Sequence, residues 1–261
     1  MAFTNDAFRL DGKVAIVTGA GGRGNSIGRA YALGLAQAGS AVVVADLNEE
    51  GAQRVASEIT DAGGQAVGVK VDITDTKAVA DMVSKAQDRF GGVDILVNNA
   101  ALMAELSYGP LMTTSRDDWD RTFDVNLAGA LNCAQAVVPI MRQRGGGKIV
   151  NQASAGAFPA ETLYGITKLA LVGLTTTLAR ELGPDKINVN AIAPGNTATE
   201  AGQGLLPADS PTRKYLDMHV SMRVVGQPDE LVGALLLLCS SAGDWITGQV
   251  LNVDGGWVVR P

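Results

Sequence analysis

The sequence predicts an α/β fold: a doubly wound parallel sheet of seven strands with helices on both faces, as a single domain over residues 1–261. Three observations predict it. Short β-branched runs alternate with longer helical patterns along the chain. The runs are apolar at successive positions rather than at every second one, as strands buried on both faces require. A glycine-rich stretch, TGAGGRGNSIGRA at 18–30, joins the first run to the first helical pattern, where open parallel sheets take ligands.

The first strand is KVAIVTG at 13–19. Gly19, Gly21, Gly22, Gly24 and Gly28 follow or end it. Each gives up packing and adds chain entropy, so their crowding marks a backbone that something must approach closely. A helix over 27–38, starting near Ser26, turns its unpaired N–H groups and positive dipole end toward that stretch, which suits a pyrophosphate. The second strand, AVVVADL at 41–47, carries Asp46 at 18 positions beyond Gly28. That is close to the offset at which a carboxylate accepts hydrogen bonds from the adenosine ribose of NAD and repels a 2′-phosphate. Arg23 leaves NADP open as well.

A helix at 48–62 leads to the strand AVGVKVDI at 66–73, and a helix at 76–89 to VDILVNNA at 93–100. One continuous helix over 118–142 precedes KIVNQAS at 148–154, and a helix at 162–182 precedes INVNAIAPG at 187–195. A helix at 228–241 and the strand QVLNVDGG at 249–256 close the alternation. Residues 196–227 break it, mixing Gly, Pro and polar residues with a few large apolar ones. They form either a substrate-binding loop or lid or an idle surface excursion. Leu205, Leu206, Tyr215 and Met218 within them either close over an apolar ligand or pack onto the sheet or a neighbouring subunit.

Composition excludes several classes. Apolar residues make up 46% of the chain, yet no run approaches the length needed to cross a bilayer, so a soluble protein is expected. A net charge of −6 disfavours nucleic acid and anionic membrane surfaces as partners. His219 is the only histidine and no CxxC pair exists, which disfavours a metal centre. Cys133 and Cys239 lie in apolar helical patterns and read as buried reduced thiols. The start MAFTNDAFRLDGK lacks the basic and apolar regions of an export signal, so a cytoplasmic protein is expected.

The chemistry lies in SAGAFPAETLYGITKLA at 154–170. Tyr164 and Lys168 stand four positions apart in a helical pattern, hence on one face. A phenol titrating near 10 is a poor base at neutral pH, and nearby positive charge from Lys168 and an oxidised nicotinamide lowers that value. Tyr164 can then exchange a proton with a substrate hydroxyl, while Ser154 donates a hydrogen bond to the oxygen on which charge develops.

Taken together, TGAGG…SIG, NNA, DVNLAG, Ser154, YGITK, APG and VDGG occur in order across almost the whole chain, which thereby resembles the short-chain dehydrogenase/reductase family. The resemblance implies a Rossmann-type domain, a homotetramer or homodimer, and NAD(P)-linked conversion of a small-molecule alcohol or ketone. It implies a catalytic tetrad of Asn126, Ser154, Tyr164 and Lys168, with Asn126 binding a water that links Lys168 to solvent. It further implies cofactor contacts at Thr18, Gly19, Gly22, Ser26, Ile27, Gly28, Asp46, Leu47, Asp72, Ile73, Asn98, Ala100, Pro194, Gly195, Thr197 and Thr199, beside Tyr164 and Lys168.

Three departures qualify the likeness. Gly19 and Gly28 are nine apart, so the glycine loop carries about three residues more than the family's usual TGxxxGxG pattern. Ser154 precedes Tyr164 by ten positions, a tightened loop, and NNAA replaces NNAG. Loops ending in SI resemble the enoyl reductase branch, but that branch's wider YxxxxxxK spacing is absent, and enoyl reduction is not carried over. The leading expectation is an NAD-linked dehydrogenase of a small or medium secondary alcohol. An NADPH-dependent 3-oxoacyl-[acyl-carrier-protein] reductase is the alternative, with Arg116 and Arg121 as a landing patch for its acidic partner, and a catalytically inactive nucleotide-binding scaffold is a third reading.

Overall fold

The computed structural model describes residues 4–22, 24–103, 109–200 and 209–259. Seven strands form one parallel sheet: β1 (Val14–Thr18), β2 (Ala41–Asp46), β3 (Ala66–Lys70), β4 (Ile95–Asn98), β5 (Gly147–Gln152), β6 (Ile187–Pro194) and β7 (Val250–Val253). The order is β3-β2-β1-β4-β5-β6-β7, with Ile16 level with Val43 on one side and Leu96 on the other. The direction of winding therefore reverses between β1 and β4, and the carboxyl ends of these two strands border a crevice.

Every residue of β1 is buried, because helices cover both faces of the sheet. On one face Ile16, Val43, Leu96 and Ile149 pack with α3 (Thr76–Phe90), α5 (Gly129–Gln143) and α6 (Leu163–Leu182) through Met82, Val137 and Leu178. On the other face Val17, Val44 and Val97 meet α1 (Ile27–Gln37), α2 (Glu49–Asp61) and α8 (Val232–Cys239) through Tyr31, Val55 and Leu235. Burying each such side chain contributes roughly 1.5–3 kcal/mol. Helix starts are fixed by side chains that accept otherwise unpaired N–H groups: Ser26 for α1, Asn48 for α2, Asp75 for α3 and Thr162 for α6.

The strands and the helices at 48–62, 76–89 and 162–182 lie where the sequence puts them, within a few residues. The expected continuous helix over 118–142 does not. It is divided into α4 (Arg116–Phe123), a π turn at Asp124–Ala128 in which the Gly129 N–H reaches back to the Asp124 carbonyl, and α5. The Asn126 amide is bonded outside the helix, and the widened turn brings it inward. The expected helix at 228–241 begins as a 3₁₀ turn, Pro228–Leu231, closed by a bond from the Gln227 N–H to Glu230 Oε2 at 2.6 Å. Within 196–227 the described residues contain α7 (Pro211–His219) and a parallel bridge from Thr197 to Gly226.

Candidate active site

A cleft of about 1070 Å³ lies over the carboxyl ends of the strands. Its walls come from the glycine loop (Gly19, Gly22, Ser26, Ile27, Gly28), the end of β2 (Asp46, Leu47, Asn48), the segment after β3 (Asp72, Ile73) and the segment after β4 (Asn99, Ala100, Leu102). Gln152, Tyr164, Lys168 and Thr199 line its further part.

The glycine loop is held from several sides. Asn99 Nδ2 donates to the Thr18 and Gly19 carbonyls at 2.9 Å each, and Thr18 Oγ1 accepts from the Asn99 and Ala100 N–H groups at 3.1 Å. Asp46 Oδ2 accepts the Gly21 N–H at 2.8 Å, and Arg54 Nη2 donates to the Gly22 carbonyl at 2.7 Å. Asn25 Nδ2 donates to the Ala198 carbonyl at 3.0 Å, which ties the elongated part of the loop to the start of the 196–227 segment. Gly19 takes a φ of +66 and its Cβ would fall 2.6 Å from Ala100 Cα, so only glycine fits beside β4. The site is open along α1's N-terminus, carries a fixed carboxylate at β2 and ends at a Tyr–Lys pair, and this donor set fits a dinucleotide.

At the far end Lys168 is wholly buried on α6, and its Nζ lies 5.4 Å from the Tyr164 ring centroid. Nζ donates to the Gln152 main-chain carbonyl at 2.7 Å, and burial lowers the amine to about 7. Ser154 Oγ accepts the Gly156 N–H at 3.1 Å, which closes the tight turn left by the short Ser-to-Tyr spacing.

The predicted site residues divide into two groups. Gly19, Gly22, Ser26, Ile27, Gly28, Asp46, Leu47, Asp72, Ile73, Ala100, Tyr164, Lys168 and Thr199 border the cleft. Thr18, Asn98, Asn126, Ser154, Pro194, Gly195 and Thr197 are not among its lining residues. Asn98 is buried and donates from Nδ2 to the Ala130 carbonyl and to Asn151 Oδ1. Asn126 has its amide occupied: Oδ1 accepts the Leu102 N–H at 2.7 Å, and Nδ2 donates to the Leu102 carbonyl and Thr167 Oγ1. Its side chain therefore braces the β4 exit against α6. Pro194 ends β6 and Gly195 follows it, and Thr197 Oγ1 donates back to the Gly195 carbonyl. Tyr215 and Met218 are exposed and border no part of the cleft, while Leu205, Leu206 and Arg23 lie outside the described residues.

The family model described as enoyl-(acyl carrier protein) reductase matches residues 22–258. The chain belongs to the short-chain dehydrogenase/reductase family. An uncharacterized oxidoreductase of Mycobacterium tuberculosis is 46% identical over 251 residues, covering 96% of this chain and 99% of the relative. A 7α-hydroxysteroid dehydrogenase complexed with NADH and 7-oxo glycochenodeoxycholic acid superposes with a TM-score of 0.91 at 36% identity, with 99% of each chain covered. A gluconate 5-dehydrogenase of Burkholderia cenocepacia, in complex with NADP and tartrate, gives 0.89 at 38% identity with 97% of each covered. Like these neighbours, this member of the family is a nicotinamide-dependent oxidoreductase that transfers hydride between cofactor and a CH–OH or ketone group.

Sequence reasoning missed Asn99 and Gln152 in this family member. Asn99 directly follows Asn98, which it did select, and Gln152 stands two positions before the selected Ser154. The signal was present only as a polar residue at a strand end, which is also the commonest place for a turn former. Among the described residues no helix is long and apolar enough to cross a membrane, and no group of three or more His, Cys, Asp or Glu side chains can hold a metal ion.

Proposed function

We propose that this chain interconverts a small or medium secondary alcohol and its ketone, with NAD(H) preferred and Tyr164 as general acid/base. The observation that carries the reading is the buried Lys168 amine, 5.4 Å from the Tyr164 ring on the wall of the cleft. A bound nicotinamide supplies or takes up the hydride. Tyr164 takes the proton from the substrate hydroxyl during oxidation and returns it during reduction. Lys168, lowered to about 7, holds positive charge near the phenol and gains or loses a proton close to neutral pH. Ser154 Oγ accepts the Gly156 N–H, which leaves its hydroxyl proton available to a substrate oxygen on which charge develops. Asn126 completes the tetrad by bracing Leu102 and Thr167, the residue before Lys168.

The NAD preference is supported by Asp46. Its Oδ2 holds the Gly21 N–H and its Oδ1 the Asn48 N–H at 2.9 Å, so the carboxylate stays on the cleft wall where a 2′-phosphate would be repelled. The same charge disfavours the NADPH-dependent 3-oxoacyl-[acyl-carrier-protein] reductase reading, as does the pairing of Arg116 with Asp120 at 2.7 Å, which occupies half of the proposed landing patch. Residues 196–227 serve as the substrate-binding segment of a single domain, since Ala198 is tied to the glycine loop and Thr199 borders the cleft. Cys133 and Cys239 are buried and free, with thiols pushed up to about 12 by burial, in keeping with a reducing cytoplasm. A homotetramer or homodimer completes the reading.

The test is a panel of secondary alcohols and ketones assayed with NAD(H) and NADP(H). Wild type is expected to favour NADH, and Tyr164→Phe to lose about 10²–10⁴-fold in kcat while still binding NADH in a fluorescence titration. Near wild-type turnover in that variant sinks the acid/base assignment, and a tenfold preference for NADPH sinks the cofactor assignment.

A further inference from the structure

Tyr31 in α1 is wholly buried and donates its hydroxyl proton to Oε1 of Gln152, the last residue of β5, at 2.8 Å. The main-chain carbonyl of the same Gln152 accepts Lys168 Nζ. This pairing fixes which way the carboxamide faces. Turned over, it would donate to the phenol oxygen and leave the buried Tyr31 proton without an acceptor, a loss that buried donors rarely sustain. Burial also raises the Tyr31 hydroxyl far above its ordinary titration range, so it remains a donor at working pH.

Nε2 of Gln152 is thus turned away from Tyr31. It finds no acceptor among the described residues, yet it is not one of the sealed polar atoms without a partner, which are Asn98 Oδ1 and Ser240 Oγ. Gln152 borders the cleft beside Tyr164 and Lys168. Its neighbours in the sheet are apolar, Val150 two positions back and Ile192 across the ladder, so packing alone would favour an apolar side chain here. A carboxamide oriented by a buried phenol, on a residue that borders the cleft and with N–H groups that no described residue accepts, implies an acceptor that arrives with the ligand.

We propose that Gln152 donates a hydrogen bond to the nicotinamide-bearing half of the bound dinucleotide, with Tyr31 as the residue that positions it. This rests on the dinucleotide reading given above, and on the cleft's order, in which the glycine loop and Asp46 occupy one end and the Tyr164–Lys168 pair the other. Two probes separate the halves: NADH spans the cleft, whereas AMP carries the adenosine half alone.

The experiment is titration calorimetry of the full chain with NADH and, separately, with AMP. Gln152→Leu is expected to raise the Kd for NADH about five- to tenfold and leave that for AMP unchanged. Gln152→Glu keeps the acceptor for Tyr31 but removes the donors, and it is expected to weaken NADH at least as much, which covers the case of a Leu variant that does not fold. Tyr31→Phe frees the amide to turn and weakens NADH by a smaller factor. An unchanged Kd for NADH in either folded Gln152 variant, or equal weakening of NADH and AMP, overturns the proposal. Wild type that binds neither probe overturns the dinucleotide reading itself.

Discussion

Under the proposed mechanism, Lys168 serves the reaction at a cost to the fold. Its amine titrates at 10.5 when free and at about 7 when buried. Between those values the unfolded chain holds a proton that the folded chain lacks, so stability falls as pH drops through the window. Below about 7 the deficit is constant, and above 10.5 it is gone. Each unit is worth about 1.4 kcal/mol, so the deficit at pH 7 is several kcal/mol. Lys168→Met, apolar and of similar length, is expected to resist urea better than wild type at pH 7 in the absence of cofactor. That advantage should shrink by pH 9.5, and catalysis should be lost throughout. An advantage that does not depend on pH would mean that the amine is not desolvated as described. The Tyr–Lys pair was legible in the sequence because its partners are one helical turn apart.

At the scale of elements, the elongated glycine loop is shaped by the first turn of α2. A Cβ on Gly51 would collide with the Gly21 carbonyl, and one on Gly21 would fall 2.6 Å from the Ala52 nitrogen, so the two backbones touch directly. Gly51→Ala is expected to lower the unfolding free energy by about 1–3 kcal/mol and to weaken NADH binding, although Gly51 does not border the cleft. Gly173→Ala is its control. A Cβ at Gly173, within α6, meets nothing, and that variant should be neutral or stabilised by about 0.5–1 kcal/mol. Equal behaviour of the two in urea unfolding and NADH titration would remove the loop contact from the account. The glycine-rich stretch announced a backbone approach, but its partner in α2 was not legible, since Gly51 falls in an ordinary helical pattern. The π turn at Asp124–Ala128 was hidden for a related reason: one extra residue in a helical turn scarcely disturbs the 3.6-residue apolar period.

For the whole molecule, the reversal of winding between β1 and β4 gathers the ends of β1, β2, β4 and β5 around one crevice. The outer surface carries exposed apolar side chains at Leu169 on α6, Leu251 on β7 and the wholly exposed Trp245. Assembly would cover some of these, and light scattering is expected to return a dimer or tetramer, whereas a monomer mass rejects the oligomeric proposal. Alternating strands and helices, the glycine punctuation and the Tyr164–Lys168 face were determined by the sequence alone, because each depends on residues close together in the chain. Which polar residues face the cleft and which brace it was decided only by the tertiary structure. Asn126 meets Leu102 across 24 positions, Asn99 meets Thr18 across 81 and Tyr31 meets Gln152 across 121. A hydrogen bond closed over such a distance leaves no local period or spacing from which it can be read.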